Sequence, residues 1–311
     1  MRKAMILAAG FGTRLRPYSE LRPKPLFPVL GKPLILHTIQ HLRNCGFTTI
    51  IVNAHYLGRQ IINFLADQPD IIIQKEPVEL GTGGGLRMAM EALGPGPALI
   101  TNGDIYHTID YEQIYAEHLM NTAPITMVMH DYPRFNKVLV NKDRVISFSE
   151  TAEPRISPQN IRLQRLAFTG IQVIDPEILR NIPAGIFTNI IDYYEKYLLN
   201  GGHIQVFTTN KFWHDIGTPK DYLALHGSLL PRQTPGEQWM PLNQRGFYRA
   251  ANAHLGSNVT CKDWGIIGPE AVVGDNVTLE RVVVWDGAMI PAGVTVKDKI
   301  VPGVWEEQGP E

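Results

Sequence analysis

The chain has 311 residues, of which 44% are hydrophobic and 19% are charged, a composition typical of a soluble globular protein. This length suffices for one large domain and a smaller appended one. Lysine and arginine (29) nearly balance aspartate and glutamate (30), which argues against a nucleic-acid-binding protein, and no apolar stretch reaches the length of a membrane span. Cys45 and Cys261 lack metal-ligand spacing, which predicts reduced thiols in a cytoplasmic protein.

The first predicted element is a short buried strand over residues 5–9. It ends in the loop Gly10-Phe11-Gly12-Thr13, which Arg14 and Arg16 follow, and Lys24 stands between two prolines shortly afterwards. Glycines let a backbone approach a phosphate closely, and cations neutralise its charge. The pattern therefore predicts a polyphosphate site.

Two other interpretations of this loop were weighed. A dinucleotide-binding fingerprint requires a third glycine three residues after Gly12, and Leu15 occupies that position. An ordinary glycine-rich turn with solvated arginines stays open, although the cluster of cations disfavours it.

Strands and helices alternate in the part of the chain that follows. The predicted strands are residues 48–53, 71–74 and 98–104, and the predicted helices are residues 34–42, 60–65 and 86–90. Alternation of this kind predicts a parallel sheet covered on both faces. Ligands of such sheets bind beyond the carboxyl ends of the strands, where the first loop and Asp104 would both lie.

The middle of the chain favours adjacent strands instead. The predicted strands are residues 125–130, 137–140, 144–148, 168–174 and 204–207, and the predicted helices begin near residues 176, 190 and 220. Residues 229–250 are rich in Pro, Gln and Gly and are predicted to form a linker.

An internal repeat occupies the C-terminal part. Its leading residues recur every sixth position, at Leu255, Cys261, Ile267, Val273, Leu279 and Trp285. A six-residue period predicts a parallel β-helix of just over two coils. Because so small a stack cannot cover its own ends, we expect it to dock on the catalytic domain or on another subunit.

Five motifs stand in one order along roughly residues 3–226. They are LAAGFGTRLRP at 7–17, PKPL at 23–26, GTGGG at 81–85, NGD at 102–104 and WHDIGTP at 213–219. In these motifs the chain resembles the sugar-1-phosphate nucleotidylyltransferases, or NDP-sugar pyrophosphorylases, many of which also carry the hexapeptide repeat. The resemblance implies an α/β fold, namely a Rossmann-like nucleotidyltransferase domain with a mixed, mostly parallel sheet over residues 1–228. A linker at 229–250 and a short left-handed parallel β-helix at 251–311 would follow.

The resemblance further implies an enzyme in which a sugar 1-phosphate attacks the α-phosphorus of an NTP and pyrophosphate leaves, with Mg²⁺ as cofactor. In-line displacement between two anions requires positive charge and alignment. By the family pattern, Arg14 holds the leaving phosphates and Lys24 lies between the α-phosphate and the sugar phosphate. Asp104 and Asp215 are the implied Mg²⁺ ligands. Taken singly, each of these residues also has an ordinary structural interpretation, such as a helix cap for Asp104.

The family pattern also assigns nucleotide-binding residues. They are Leu7, Ala9, Gly10, Gly12, Thr13, Gln74, Glu76, Gly81, Thr82, Gly83, Asn102 and Gly103. The glycines at 81–85 would let the base lie flat against the backbone, whose amides read its edge.

The sugar end departs from the family pattern. Glu150, Thr169, Gly170 and Asn189 match the sugar-binding positions, but Thr151 stands where many members have a lysine for the sugar phosphate. Arg155 or Lys137 is the alternative cation, or the sugar phosphate relies on Lys24 and the metal.

Several functional alternatives stay open. The GTGGG motif is similar to uridylyltransferases of N-acetylmuramate 1-phosphate, whereas the C-terminal repeat is more similar to mannose-1-phosphate guanylyltransferases, which we favour slightly. A phosphocholine cytidylyltransferase, or a non-catalytic regulatory subunit that binds a nucleotide sugar, is a further alternative. The expected partners are an NTP, a sugar 1-phosphate and further copies of this chain, with no nucleic acid or membrane.

Overall fold

The computed structural model describes residues 1–149, 163–233, 235–242 and 246–305. Contacts divide the chain into two compact units. The first contains Met1–Phe11 and Ile35–Trp213, and the second contains Gly12–Leu34 together with the chain from His214 onwards. This division differs from the predicted boundaries at residues 228 and 251, because a segment close to the N-terminus packs with the C-terminal part of the chain.

The first unit is built on a nine-stranded sheet. Its strands, in spatial order, are Ile71–Lys75, Phe47–Ala54, Arg2–Leu7, Ala98–Asn102, Leu163–Ile174, Ile125–His130, Gln205–Thr209, Arg144–Ser147 and Val138–Asn141. The first four are parallel to one another. Leu163–Ile174 runs antiparallel to both of its neighbours in this order, and Arg144–Ser147 runs antiparallel to both of its own neighbours. The predicted mixed sheet is confirmed, but its parallel part is confined to the first half and to the pair formed by Ile125–His130 and Gln205–Thr209.

Helices cover this sheet. They are Leu34–Asn44, Gly58–Leu65, Gly81–Leu93, Tyr111–Met120 and Ile190–Leu199, with 3-10 turns at Pro133–Phe135 and Pro176–Asn181 and a short strand at Ile105–His107. The central strands bury residues such as Met5, Ile51 and Ile100 against Leu86 and Tyr194 of two helices. Their apolar runs are explained by burial on both faces of the sheet. Among the described residues, none of the helices has the length and apolar character needed to cross a membrane.

The second unit combines the first loop with the C-terminal strands. It contains 3-10 turns at Thr13–Leu15 and Lys24–Leu26, helices at Tyr18–Leu21 and Pro219–Leu229, and a hairpin of Pro28–Val29 and Lys32–Pro33. Its further strands are Trp239–Pro241, Phe247–Ala250, His254–Leu255, Thr260–Ile267, Val272–Val273, Thr278–Val284, Met289–Ile290 and Thr295–Val301. The strand Trp213–Asp215 lies at the boundary between the units in the sequence. The predicted linker therefore contains two strands.

The strands of residues 247–301 form what we call the C-terminal strand stack. Parallel partners recur after 18 and then 17 residues, as in His254 with Val272 and Val272 with Met289. Apolar side chains of the repeat fill its interior. The six-residue period predicts Leu255 and Cys261 as partners of Val273 and Leu279, and these pairs are present. Ile267, however, pairs with Val284 because the register shifts between Lys262 and Gly265.

Candidate active site

The ends of two adjacent parallel strands carry part of the predicted nucleotide site in the first unit. Leu7 pairs with Asn102, and the amide of Gly103 donates to the carbonyl of Leu7 at 2.8 Å. A Cβ atom at Gly103 would lie 2.9 Å from that carbonyl oxygen, so only glycine permits this approach. Half-buried Asp104 follows at once. Leu7, Asn102, Gly103 and Asp104 are thus brought to one edge of the sheet, as the alternating pattern predicts.

Asn53, which was not among the predicted site residues, links two of the predicted segments. Its Oδ1 accepts from the amide of Ala8 at 2.6 Å, and its Nδ2 donates to Glu76 Oε1 at 2.7 Å. Both Asn53 and Glu76 are buried. Gln74 donates to the carbonyl of Gly85 at 2.9 Å. The sequence contains one indication of this role, because Asn53 is the polar residue in the otherwise apolar run at 50–54.

The glycines at 81–85 begin the helix Gly81–Leu93, and their missing side chains admit other parts of the chain. A Cβ at Gly83 would lie 2.9 Å from the carbonyl oxygen of Thr188, and one at Gly85 would lie 2.6 Å from Glu76. The amide of Gly83 donates to Thr188 at 2.8 Å. This amide is therefore engaged within the protein. The hydroxyl of Thr82 accepts from the amide of Ile190 at 3.1 Å.

The predicted sugar-binding residues have structural partners of their own. Buried Thr169 donates to the carbonyl of Val128 at 2.8 Å, and Asn189 caps the helix Ile190–Leu199 by accepting from Ile191 at 2.9 Å. Gly170 has φ +80°, and a Cβ there would lie 2.6 Å from Asn102 Nδ2. The predicted sugar strand is thus adjacent to Asn102. Glu150, Thr151 and Arg155 lie outside the described residues.

The first loop of the second unit is fixed by a left-handed glycine and a buried leucine. Gly12 has φ +62° and accepts from the amide of Leu15 at 2.8 Å. Leu15, which occupies the place of the missing third glycine, is fully buried. The side chains of Arg14 and Arg16 on either side of it are exposed. The turn therefore anchors one residue and leaves two cations at the surface.

Arg14, Lys24 and Asp215 come together in the second unit. Lys24 is only 6% exposed, and its Nζ lies 3.7 Å from Asp215 Oδ1. A Cβ at Gly217 would lie 2.5 Å from Asp215 Oδ2 and 3.1 Å from Arg14 Nη1. Asp215 and Arg14 therefore flank the same glycine, whose missing side chain leaves them room. Two cations of this kind can bind phosphate groups. The neighbouring carboxylate can bind a metal ion that also coordinates those phosphates.

The fit to a metal ion depends on the substrate. Within residues 1–149, 163–233, 235–242 and 246–305, no group of three or more His, Cys, Asp or Glu side chains could hold a metal ion. Mg²⁺ usually takes one or two carboxylates and completes its shell with phosphate oxygens and water. Asp104 in the first unit and Asp215 in the second unit each offer one carboxylate of the kind that Mg²⁺ accepts.

Comparison with known proteins gives one consistent family. Residues 3–231 match the nucleotidyl transferase family model. A probable mannose-1-phosphate guanylyltransferase 1 of Oryza sativa is 27% identical, and the match covers 94% of this chain and 79% of that protein. An N-acetylmuramate alpha-1-phosphate uridylyltransferase of Neisseria meningitidis is 35% identical, and the match covers 73% of this chain and 99% of that protein.

Solved structures agree on the fold. A putative glucose-1-phosphate thymidylyltransferase of Bacillus anthracis has a TM-score of 0.62 and 20% identity, covering 72% of this chain and 94% of that one. HddC of Yersinia pseudotuberculosis complexed with GMP-PN has a TM-score of 0.59 and 25% identity, covering 72% of this chain and 98% of that one. Nucleotidyltransferases of this kind typically use a divalent metal. The chain belongs to the nucleotidyl transferase family.

Proposed function

We propose that this chain transfers a nucleotidyl group from an NTP to a sugar 1-phosphate and releases pyrophosphate. The observation that carries the proposal is the position of Asp215, which lies beside Lys24 and flanks Gly217 together with Arg14. Sugar-1-phosphate enzymes among the relatives support the substrate class. A nearly buried lysine beside a carboxylate is costly for stability alone, so its presence is better explained by chemistry on an anion.

The roles follow from where charge develops. As the sugar phosphate approaches the α-phosphorus, negative charge accumulates there, and the ammonium group of Lys24 offsets it. Arg14 binds the departing β- and γ-phosphates, whose charge rises as the bond breaks. The carboxylates of Asp104 and Asp215 are the proposed Mg²⁺ ligands. Bound there, Mg²⁺ would supply Lewis-acid stabilisation of the phosphate oxygens.

The nucleotide end is assigned to the residues that match the nucleotide-binding motifs. The backbone at Leu7, Ala9, Gly10, Gly12 and Thr13 would bind phosphate. Gln74, Glu76, Gly81 and Thr82 would contact the base, and Asn102 and Gly103 the ribose. We include Asn53, because it holds both Ala8 and Glu76. Gly83 keeps a packing role, because its amide is already bonded to Thr188.

Two substrate pairs are supported by different relatives. GTP and mannose 1-phosphate are our first choice, because the relatives named mannose-1-phosphate guanylyltransferase match 94% of this chain. UTP and N-acetylmuramate 1-phosphate are the second, because the relative named for that reaction has the higher identity, 35%. Glu150, Thr169, Gly170 and Asn189 are proposed to contact the sugar in either case.

The C-terminal strand stack is proposed to be a short left-handed parallel β-helix. Its parallel ladders with offsets of 17 and 18 residues support this assignment, because three hexads make one coil. We further propose that this strand stack contributes to a homo-oligomer.

The test is pyrophosphate release over the four NTPs, each paired with mannose 1-phosphate, N-acetylmuramate 1-phosphate, glucose 1-phosphate and phosphocholine. We expect Mg²⁺-dependent turnover with GTP and mannose 1-phosphate. Turnover only with CTP and phosphocholine would replace the proposed substrate class. Tight binding of an NDP-sugar without turnover of any pair would identify a regulatory subunit and contradict the catalytic proposal.

A further inference from the structure

Trp285, in the C-terminal strand stack, contacts the chain both before and after Lys24 in the sequence. The guanidinium carbon of Arg22, two residues earlier, lies 4.7 Å from the ring centroid of Trp285. Phe27, three residues later, packs edge-on against Trp285 with ring centroids 4.8 Å apart. Trp285 is 1% exposed. A single buried indole therefore holds the chain before and after Lys24.

Asp286 fixes the first of these contacts. Its two carboxylate oxygens accept from Arg22 Nη1 at 2.8 Å and from Nη2 at 2.9 Å. This bidentate arrangement orients the guanidinium as well as attracting it. Burial alone would raise the pKa of Asp286, but the hydrogen bonds and charge of Arg22 outweigh it and hold the pKa below that of an ordinary aspartate.

The second contact is supported from another side. Phe27 also packs edge-on against Tyr222, with ring centroids 5.6 Å apart, and the hydroxyl of Tyr222 donates to the carbonyl of Pro28. Tyr222 belongs to the helix Pro219–Leu229, which begins just after Asp215. Phe27 is thus held between the strand stack and that helix. The position of Lys24 relative to Asp215 depends on both surfaces.

We propose that Asp286 and Trp285 are positioning residues for Lys24, so that the C-terminal strand stack sets the alignment of a catalytic lysine. This role rests on the proposed function of Lys24. Neither residue is proposed to touch a substrate. They act through Arg22 and Phe27, which limit how far the turn Lys24–Leu26 can move away from Asp215. Displacement of a catalytic group by about 1 Å can cost roughly 100-fold in rate.

A purely stabilising role makes a different prediction. In that case the loss of the pair between Arg22 and Asp286 would lower the melting temperature and leave kcat unchanged. A positioning role predicts a lower kcat at an unchanged KM, because Lys24 is proposed to act on charge that develops in the transition state. It also predicts looser structure confined to residues 22–27.

The experiment compares Asp286→Asn with Asp298→Asn in the full chain. Asp298 forms the matching bidentate pair in the same stack, accepting from Arg281 Nε at 2.6 Å and Nη2 at 2.8 Å. The two carboxylates are similarly exposed, 50% and 54%. We would measure kcat and KM for both substrates, the melting temperature, and amide hydrogen exchange at Leu26 and Phe27. Arg22→Gln is measured alone and in combination with Asp286→Asn, which completes a double-mutant cycle.

For Asp286→Asn we expect a decrease in kcat of about 10-fold with KM within about 2-fold of wild type. Amide exchange at Leu26 and Phe27 should accelerate about 10-fold. The kcat of the double variant should be no lower than that of Asp286→Asn. Asp298→Asn should match wild type in kcat and in this exchange. Equal kcat, or equal exchange, in the two single variants would overturn the proposal.

Failure of the proposed function would be distinguishable. If the wild-type chain turned over no substrate pair, the catalytic proposal would fail while the exchange comparison still decided whether Asp286 holds the Lys24 segment. If the wild type were active and Asp286→Asn behaved like Asp298→Asn, the function would stand without this positioning role.

Discussion

The side chains of Lys24 and Asp215 show how one ion pair can serve chemistry better than stability. Both side chains are largely buried, at 7% and 16% exposure, and their charged atoms are 3.7 Å apart. Partly buried ion pairs rarely repay their desolvation. Before a substrate binds, the pair keeps a cation and a carboxylate close together, and a phosphate can then share the lysine.

Replacement of Lys24 by alanine is expected to lower kcat by roughly 100-fold to 1,000-fold, because charge in the transition state loses its offset. The circular dichroism spectrum should stay that of the wild type. Steady-state rates of pyrophosphate release would measure the effect, with Lys32→Ala, at an exposed position of the hairpin, as the control. A Lys24→Ala rate close to that of Lys32→Ala would remove Lys24 from the mechanism.

His107 introduces a pH dependence of stability. Its Nδ1 accepts from the amide of Ile109 at 3.1 Å and its Nε2 lies 2.8 Å from the hydroxyl of Tyr111, an arrangement that requires the neutral ring. Burial, reinforced by the nearby His41, lowers the pKa of His107 from 6.5 to about 3. The unfolded chain therefore binds a proton between these pH values that the folded chain does not bind.

It follows that the free energy of unfolding should be highest above pH 6.5 and should fall as the pH drops towards 3. Between pH 7 and pH 5 the contribution of His107 is a loss of about 1–2 kcal/mol. Urea titrations at both pH values would measure it. His107→Gln keeps a polar side chain without a titrating group, so its loss over this interval should be smaller by that amount. An unchanged difference between the two pH values would contradict the assignment.

At the residue scale, the sequence motifs indicate the charged residues of the candidate site but not the residues that hydrogen-bond to its backbone and side chains. Arg14, Lys24 and Asp215 stand in motifs, because their chemistry restricts the residues beside them, and the structure brings these three together. Asn53 was missed, because its role depends on the amide of Ala8 and the carboxylate of Glu76, which are distant in the sequence. Local patterns carry no information about such partners.

Among the elements, the helix Gly81–Leu93 has the most constrained start. Gly81, Gly83 and Gly84 approach the carbonyls of Thr188 and Ile186 so closely that no Cβ would fit. A glycine normally weakens a helix, so this run is explained by close packing against residues 186–190. The glycines of this motif therefore have a packing role in the protein itself.

Gly83→Ala is expected to destabilise the fold by about 1–3 kcal/mol, because the new methyl group would displace the carbonyl of Thr188. Chemical denaturation would measure the change. Gly303→Ala is the control, since nothing lies within 4 Å of the added Cβ there. Equal stability of the two variants would mean that residues 186–190 move aside at no cost.

Strand direction was the least predictable property of the elements. The patterns at 98–104, 125–130 and 168–174 predict strands, and strands are present at all three, although the first ends at Asn102. Leu163–Ile174 runs antiparallel between the other two strands. The sequence does not indicate this direction, because a buried apolar run has the same pattern in a parallel or an antiparallel strand. Its length, which extends well before residue 168, also lets it pair with Val138–Asn141.

At the scale of the whole molecule, the contacts of the second unit join distant parts of the chain. Arg22 and Asp286 are 264 positions apart, and the predicted division into consecutive domains did not anticipate their pairing. Repeats and motifs are read along the sequence, whereas this packing depends on side chains that only the folded chain brings together. That the stack docks on the catalytic domain or on another subunit stays a prediction.

A chain that ends at residue 238 would lack Trp285 and Asp286, and the segment from Gly12 to Leu34 would lose these partners. We expect the buried ring of Phe27 to become exposed, and kcat to fall by at least about 10-fold. Binding of a hydrophobic dye and pyrophosphate release would report the two effects. Wild-type values of both for the shortened chain would show that the loop keeps its conformation without the stack.

The grouping of Gly12–Leu34 with the chain from His214 onwards also orders events during synthesis. Ribosomes add about 5 to 20 residues per second, so Trp285 follows Phe27 after roughly 10 to 50 s. Throughout that interval Arg22 and Phe27 have been synthesised, but Trp285 and Asp286, which later contact them, have not. The segment Gly12–Leu34, although translated early, is thus among the last parts of the protein to gain all of its contacts. A chain that stops before Trp285 contains the motifs of this segment without the contacts that hold it.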